Sequence, residues 1–475
     1  TAMNADQKEA IRYIYDQIEV FSGLTFTELT GSNDANADLM HAHSNSPSTA
    51  YAYYPSTNSV GGDAFYGGSL STTHDPLLGT YQFHTIWHEI GHSLGLKHGH
   101  KSEEAGATPV SYRGQEYSIM TYLTDETDNT ADGITVSSTS FPQSMMMLDI
   151  AALQNMYGAN FTSNATNTTY TFSTSTGAMY VNGVDQSAAA NVDKSGNIIF
   201  RTIWDGNGTD TYDLSNFSTD MDIDLTPGSY VNLDTNGNSY RSLLDWRDGD
   251  YADGHIYNAL QYNGDTRSLI ENATGGSGDD TFTGNDADNI LIGGSGNDTF
   301  NASLGDDTIN GGNNTDTVIY NYNISEFLVY LVDSVTVQLH NIAGDWVDTV
   351  LNVESFQFTN QTYTFAEIGE LDASEQDPIY VRFMWEDGGI YTHTSDELES
   401  TPLAGNTMGY AGVSGNVASF ARTVESLTVT ILNANAPDRV NLYAGDNGET
   451  VIFSNAYGGI SAYGYGGTGD DTFRI

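Results

Sequence analysis

Five consecutive nine-residue units lie between Gly275 and Ile319, and this period constrains the fold more than any other feature of the chain. The units are GGSGDDTFT, GNDADNILI, GGSGNDTFN, ASLGDDTIN and GGNNTDTVI. Each combines a turn of six residues with a three-residue run whose middle member is apolar. Such a repeat predicts a parallel β-roll, in which short strands alternate with calcium-binding turns. A flexible Gly/Asp linker is the alternative, but a linker has no strict apolar period.

Two such units make one coil, so turns that are 18 residues apart are expected to stack. The sixth-position side chains then form two rows: Asp280, Asp298 and Asp316 in one, and Asn289 and Asp307 in the other. The turn glycines would add inward-facing carbonyl oxygens: Gly276, Gly278, Gly294, Gly296 and Gly305. Oxygen ligands of this kind suit calcium. We expect calcium between the 280 and 298 turns and between the 289 and 307 turns. A site between the 298 and 316 turns has weaker support, because GGNNTD lacks the fourth-position glycine.

A second constraint is the segment HEIGHSLGLKH, which has the spacing HExxHxxGxxH. On a helix, His88 and His92 lie one turn apart on the same face, where two imidazoles can share one zinc ion. Glu89 can then reach a zinc-bound water. Gly95 can end the helix in a left-handed conformation, which brings His98 in as a third ligand. Three protein ligands leave a coordination position open, which is typical of catalytic zinc.

The short segment SIMTY follows the last of these histidines by 20 residues. Taken alone, Met120 beside Tyr122 would indicate ordinary core packing. After an extended zinc motif, the same order is typical of the zincin arrangement with a Met-turn, in which a methionine lies beneath the metal. The sequence therefore predicts Met120 as the floor of the zinc site.

Four segments together resemble the serralysin family of secreted bacterial metalloproteases: HEIGHSLGLKH, SIMTY, PQSMMMLDIAALQNMYGAN and TIWDGNGTDTYDLSNF. The resemblance runs from about Ala5 to Val318. It implies zinc bound by His88, His92 and His98, with Glu89 as general base, Met120 in the Met-turn and Tyr122 as a switchable zinc ligand that stabilises the oxyanion. It also implies calcium at Asp205 and Asp210, although so short an Asp/Asn/Gly cluster is equally typical of an ordinary turn.

The chain departs from the family in three places. The family has a strand before the first helix, whereas this chain starts almost at that helix, predicted over residues 6–21. Lys97 and Gly99 flank the last ligand, where the family has a small residue and a proline. The chain also ends on a lone repeat, GGTGDDTFR, and the final TFRI fits the family's type I secretion signal poorly.

Net charge and composition limit the classes of molecule that the chain is expected to bind. Acidic residues number 62 against 14 Lys plus Arg, a formal net charge of −48. Such a field repels nucleic acid and anionic membranes, so neither is an expected partner. With no cysteine, the chain has no disulfides, and bound metal is expected to stabilise it instead. No apolar run reaches the roughly 18–20 residues of a membrane span.

The expected architecture has three parts. An α+β zincin domain of the metzincin type would occupy residues 1–160, with strand-like alternation at residues 24–29, 37–43 and 49–54, a loop at 58–68 and the zinc helix at 78–94. An all-β domain would occupy residues 161–370 and contain the parallel β-roll of RTX repeats at 275–319. A further β-rich region of unknown role would occupy residues 371–475.

These features predict a secreted, calcium-dependent zinc endopeptidase that acts on protein and peptide substrates outside the bacterial cell. We expect a monomer and, from the resemblance, export by type I secretion machinery. The alternative is an extracellular calcium-binding surface or adhesive RTX protein that carries an idle or self-processing protease domain.

Overall fold

The computed structural model describes residues 3–30, 36–68, 76–100, 108–123, 135–189, 196–342 and 346–371, and nine strands beyond them. The chain divides into two compact units, Thr1–Asp316 and Thr317–Ile475. Among the described helices, none has the length and apolar character that crossing a membrane requires.

The first helix, α1, spans Ala5–Phe21, as the apolar spacing predicted. It begins with a capping box: the Asn4 side chain accepts the Gln7 N–H at 2.8 Å, and the Gln7 side chain accepts the Asn4 N–H at 3.0 Å. Its buried face includes Ile14 and Ile18, which join the core of the first unit.

Three short strands follow: β1, His41–His43; β2, Ala50–Ala52; and β3, Ala64–Tyr66. Their order is β1-β3-β2, with β1 parallel and β2 antiparallel to β3. The central strand lies inside residues 58–68, so the prediction of a loop there is wrong for that part. Two buried side chains that flank Phe65 hold the strand against the core, and the neighbouring glycines concealed this pattern.

The predicted strand at residues 24–29 is also wrong, because the structure has no regular element there. Side chains of α1 hold this segment in place of a strand ladder. The Glu19 carboxylate accepts the Phe26 N–H, and the Arg12 guanidinium donates to Glu28 at 2.9 and 3.0 Å. These contacts with α1, rather than pairing in a sheet, therefore hold residues 24–29.

Two more helices follow: α2, Tyr81–Ser93, which carries the HExxH part of the zinc motif, and α3, Met147–Tyr157. Nearly every residue of α2 from Phe83 onward is buried, which fits a helix at the centre of the unit. The core around it also takes in side chains beyond residue 160, including Phe200, Trp204, Leu244 and Tyr257.

The rest of the first unit is almost entirely strand. In chain order these elements are β4 Thr169–Phe172, β5 Met179–Val181, β6 Val184–Asp185, the short helix α4 Gln186–Ala189, β7 Arg201–Ile203, β8 Thr211–Asp213, β9 Asp222–Asp224, β10 Tyr230–Asn232, β11 Leu243–Asp245, β12 Asp250–Tyr251, β13 Ile256–Asn258, β14 Asn272–Thr274, β15 Thr281–Thr283, β16 Ile290–Ser295, β17 Thr299–Asn301 and β18 Thr308–Asn313. One sheet has the order β6-β5-β4-β8-β14-β16-β18 and another β7-β13-β10-β9-β15-β17, while β11 and β12 pair as a hairpin.

The repeat strands pair in parallel with the predicted offset. Phe282 lies opposite Phe300, and Leu291 opposite Ile309, so partners are 18 residues apart in each sheet. The two phenylalanine rings stack with centroids 4.8 Å apart. The expected stacking of alternate units is therefore present in these strands.

The described part of the second unit consists of strands, a 3-10 turn at Ile324–Glu326 and one short α-helix. Its elements are β19 Thr317–Ile319, β20 Phe327–Leu331, β21 Thr336–Asn341, β22 Val347–Leu351, β23 Ser355–Gln357, β24 Thr362–Thr364, α5 Phe365–Gly369, β25 Tyr380–Met384, β26 Ile390–His393, β27 Thr407–Gly412, β28 Asn416–Thr423, β29 Ser426–Ile431, β30 Arg439–Tyr443, β31 Thr450–Asn455, β32 Ser461–Tyr465 and β33 Thr472–Arg474. Beyond residue 371, the described elements are nine strands. Of the final lone repeat, only β33 lies within the described residues.

Candidate metal centres

Three imidazoles converge at the end of α2. The Nε2 atom of His98 lies 3.2 Å from that of His88 and 3.0 Å from that of His92. All three side chains are buried. Nitrogens held by tetrahedral zinc at 2.0–2.1 Å are about 3.3 Å apart, so the spacing of the three atoms fits one zinc ion.

Backbone carbonyls fix which ring nitrogen of two of these histidines faces the metal position. Nδ1 of His88 lies 2.9 Å from the Ile119 carbonyl oxygen, and Nδ1 of His92 lies 2.8 Å from that of Leu96. A hydrogen on each Nδ1 can donate to the carbonyl, which leaves the Nε2 lone pair free to bind a metal. Burial, aided by the neighbouring His92, lowers the pKa of His88 well below its usual value, so this ligand is neutral.

The Met-turn is held by a carboxylate that the sequence did not single out. Asp149 of α3 accepts the Ser118 hydroxyl at 2.6 Å and the Ile119 N–H at 2.7 Å. Because the Ile119 carbonyl in turn accepts from His88, Asp149 supports the metal ligand through the turn. Its burial raises the pKa of Asp149 to about 6.

Two glycines shape the metal helix. Gly95 has φ +102°, the left-handed conformation expected after the helix. A Cβ at Gly91 would lie 2.5 Å from the Met120 Sδ, so the methionine packs directly against the helix backbone between the histidine ligands. Met120 is 1 % exposed, so its side chain is buried against this part of the helix.

Glu89 lies next to the first histidine and is buried. One carboxylate oxygen accepts the N–H of Ala52 on the edge strand β2, while the Oε2 atom has no hydrogen-bond partner among the described residues. Desolvation raises the pKa of Glu89 to about 7, the range in which a general base works best. A divalent cation beside it would lower that pKa.

Tyr122 lies over the histidine cluster. Its ring centroid is 4.5 Å from that of His98 and 5.6 Å from that of His88. His100, which the sequence did not single out, lies against the same ring at 5.2 Å, and its Nδ1 is 3.4 Å from the Tyr122 backbone nitrogen. Tyr54, two residues after β2, meets His92 edge-on with ring centroids 5.4 Å apart. His100 follows the zinc motif and Tyr54 follows β2, but their contacts with the metal site exist only in the folded chain.

The repeat carboxylates form the expected two rows. The Asp298 Oδ1 accepts the Asp280 N–H at 2.8 Å, and the Asp316 Oδ1 accepts the Asp298 N–H at 2.8 Å. In the other row, the Asp307 Oδ1 accepts the Asn289 N–H at 2.9 Å. The second oxygen of Asp298 is buried without a hydrogen-bond partner among the described residues. A row of buried carboxylates with a free oxygen favours cation binding.

Stacked turns approach so closely that a side chain has no room at several repeat glycines. A Cβ at Gly294 would collide with the Gly276 carbonyl oxygen, and one at Gly296 with that of Gly278. At Gly305 the collision would be with the Ala287 carbonyl oxygen. The glycine positions of the motif are therefore required by the contact between one turn and the next.

Without calcium, the repeats should be more stable in mild acid than at neutral pH. Burial raises the pKa of Asp298 to about 7 and those of Asp280 and Asp307 to about 6, above the unfolded value near 3.8. A raised folded pKa gives stability that is complete below the unfolded pKa and is lost as pH rises through 6–7. In chelator, the melting temperature at pH 5 should therefore exceed that at pH 8. Saturating calcium, which binds the ionised form, should reverse the order.

Asp298→Asn provides the control, since it removes one titrating group from the row. It should reduce the difference between the two melting temperatures in chelator. A calcium-free protein that is more stable at pH 8 than at pH 5 would contradict this assignment.

A separate acidic cluster surrounds Asp205 and Asp210, both buried. Asp205 accepts the Tyr170 hydroxyl at 2.7 Å, and Asp210 accepts the Thr168 N–H at 2.7 Å. Burial, together with the charge of Asp205, raises the pKa of Asp210 to about 8, and the Asp210 Oδ2 has no hydrogen-bond partner among the described residues. Glu271, 61 residues further on, accepts the Asp210 N–H at 2.6 Å. This third carboxylate had no local sequence signal.

Three family models match successive parts of the chain. Residues 25–141 match the reprolysin-like metallo-peptidase family M12B, and residues 159–238 match the serralysin C-terminal region of peptidase M10. Residues 270–300 and 292–320 match the RTX calcium-binding nonapeptide repeat.

Curated relatives match about half of the chain or somewhat more. Serralysin B of Dickeya chrysanthemi is 34% identical over 226 residues, which cover 45% of this chain and 44% of that protein. Metallopeptidase AprA of Pseudomonas marginalis and serralysin of Proteus mirabilis are each 31% identical, over 61% of this chain and 56% of theirs. The chain thus spans about half the length of these relatives. Among solved structures, extracellular lipase LipA from Serratia marcescens matches with a TM-score of 0.19 and 14% identity over 46% of this chain and 33% of that one, too low to bear on the fold.

A cluster of three histidines thus lies in a region that matches a metallo-peptidase family model, and a region that matches calcium-binding RTX repeats follows it. Residues 159–238 and the curated relatives make the chain similar to the serralysin family. Zinc and calcium are accordingly its metals.

Proposed function

We propose that this chain is an extracellular, calcium-dependent zinc endopeptidase that hydrolyses peptide bonds of proteins. The observation that carries the proposal is the convergence of three Nε2 atoms, 3.0 and 3.2 Å apart, beside the buried carboxylate of Glu89. Three imidazole nitrogens with an adjacent carboxylate suit water activation rather than a closed structural site.

His88, His92 and His98 would hold the zinc, which when bound supplies a Lewis acid that polarises the scissile carbonyl and lowers the pKa of water. Glu89 takes a proton from the attacking water, and the resulting hydroxide adds to the carbonyl carbon. The Tyr122 hydroxyl donates a hydrogen bond to the oxyanion. When the C–N bond breaks, Glu89 returns its proton to the leaving amine.

The proposal extends to the calcium half and to the domain plan. Calcium would be held by Asp280, Asp298 and Asp316, by Asn289 and Asp307, by the carbonyls of the turn glycines, and by Asp205 with Asp210. We propose a parallel β-roll over residues 275–319, a protease domain over 1–160, a calcium-binding domain over 161–370 and a β-rich domain over 371–475. The chain would act as a monomer exported by type I secretion machinery.

Hydrolysis can be tested by incubating the calcium- and zinc-loaded chain with casein in water enriched in oxygen-18. Mass spectrometry of the products should show internal cleavage, with heavy oxygen in each new carboxyl group. Intact casein would refute the proposal and favour the alternative, a surface or adhesive repeat protein with an idle protease domain.

Replacing Tyr122 with phenylalanine should lower kcat by about 10²–10³-fold, the usual effect of losing one donor to an oxyanion. Zinc content and KM should change little, because the ring remains packed on His98. Steady-state kinetics on a fluorogenic peptide, with metal analysis, would measure both. Tyr112→Phe, at an exposed tyrosine that packs on Tyr117, is the matched control. Full activity in Tyr122→Phe would refute the role of the hydroxyl.

A further inference from the structure

A cavity of about 90 Å³, partly open to solvent, lies in the first unit between α1, α2, the N-terminal part of α3 and strands β4, β5 and β7. Its described lining residues include none of the proposed zinc or calcium ligands. Two of them are buried hydrogen-bond donors whose bonding is incomplete, Arg201 and Trp87. The proposed peptidase activity gives neither residue a role.

Arg201 is 4% exposed, so its charge is removed from bulk water. The guanidinium makes two long hydrogen bonds from one nitrogen, to the Tyr13 hydroxyl at 3.4 Å and to the Gln143 carbonyl at 3.3 Å. Both acceptors are neutral, and no carboxylate of the described residues forms an ion pair with it. A guanidinium stays charged at all physiological pH values and carries five donors, so a buried arginine normally has an anionic partner.

Trp87 supplies the second donor. Its side chain is fully buried, and its indole Nε1–H has no hydrogen-bond partner among the described residues. Indole nitrogen can only donate, so a buried indole without an acceptor is unfavourable. Both residues therefore line one cavity, whose other walls include the apolar Met145, Met179 and Ile203.

The volume of the cavity and the donor groups of its lining residues indicate which ligand it would bind. The cavity is larger than the roughly 30 Å³ of one water and smaller than the roughly 150 Å³ site that holds benzene. A guanidinium matches a planar carboxylate through two parallel hydrogen bonds. We propose that this cavity binds a small carboxylate anion the size of formate or acetate, with Arg201 as its ion-pair partner and Trp87 as a further donor.

Binding can be measured on the full chain, loaded with zinc and calcium, by titrating sodium acetate against sodium chloride at constant ionic strength and pH 7. The near-ultraviolet circular dichroism of Trp87 and Trp204, which both line the cavity, reports occupancy. We expect a saturable change with a midpoint on the order of 1 mM, which is reasonable for a ligand of four non-hydrogen atoms.

Arg201→Gln should raise the midpoint at least tenfold, and Arg201→Lys, which keeps the charge but loses the paired donors, should raise it less. Arg267→Gln, at an exposed arginine paired with Asp265, should leave it unchanged. If Arg201→Gln does not fold, the lysine variant and the wild-type chain still decide the matter. No saturable change in the wild type, an equal midpoint in Arg201→Lys, or an equal response to chloride would each overturn the proposal.

Discussion

Replacing Glu89 with glutamine is expected to lower kcat for peptide cleavage by about 10²–10⁴-fold, the usual contribution of a positioned general base. The amide cannot take the proton of the attacking water, yet it has nearly the shape of the carboxylate and can still accept the Ala52 N–H. The histidine ligands are untouched, so zinc content should remain at the wild-type level. Steady-state assays on a fluorogenic peptide would measure kcat, and metal analysis of the same sample would measure zinc content.

Glu28→Gln is the matched control for this variant. Glu28 pairs with Arg12 on the surface and lies outside the metal site, so its loss should leave kcat unchanged. An unchanged kcat in Glu89→Gln would show that this carboxylate is not the base. A loss of zinc together with activity would assign it a role in metal binding instead.

Removing calcium is expected to unfold the repeats while much of α2 stays protected. At calcium concentrations 100 times Kd, each site adds about 2.7 kcal/mol to the free energy of unfolding, so two sites add about 5 kcal/mol. That loss should lower the melting temperature by about 8 °C in a unit that runs from Thr1 to Asp316. Hydrogen exchange with mass spectrometry should show residues 275–316 exchanging rapidly in chelator and slowly in calcium.

Two substitutions separate bound calcium from general charge effects. Asp298→Asn removes the carboxylate at the centre of one row and should require more calcium for the same protection. Asp286→Asn, at an exposed position of the nonapeptide GNDADNILI, should behave like the wild type. Exchange in residues 275–316 that does not respond to chelator would contradict a calcium-built fold.

The features that could be predicted from sequence are those with a local or strictly periodic cause. The spacing of His88 and His92 on one helix face, and the left-handed turn at Gly95, depend on residues within one segment. The rows through Asp280 and Asp307 follow from a nine-residue period that leaves a single stacking register.

The features that sequence missed depend on contacts between distant segments. Glu271 joins Asp210 only because β14 pairs with β8, and Asp149 supports the metal ligand only through the Met-turn. The strand predicted at residues 24–29 failed for the same reason, since contacts with side chains of α1 hold that segment. The cavity beside Arg201 likewise forms only where α1, α2 and α3 meet strands β4, β5 and β7.

The most direct test of the central claim is a zinc titration of the calcium-loaded chain after its zinc has been removed by a zinc-selective chelator. Peptidase activity should rise linearly and stop rising at one zinc per chain, because His88, His92 and His98 form one site. Activity that is present without zinc, or that does not respond to its return, would contradict the account.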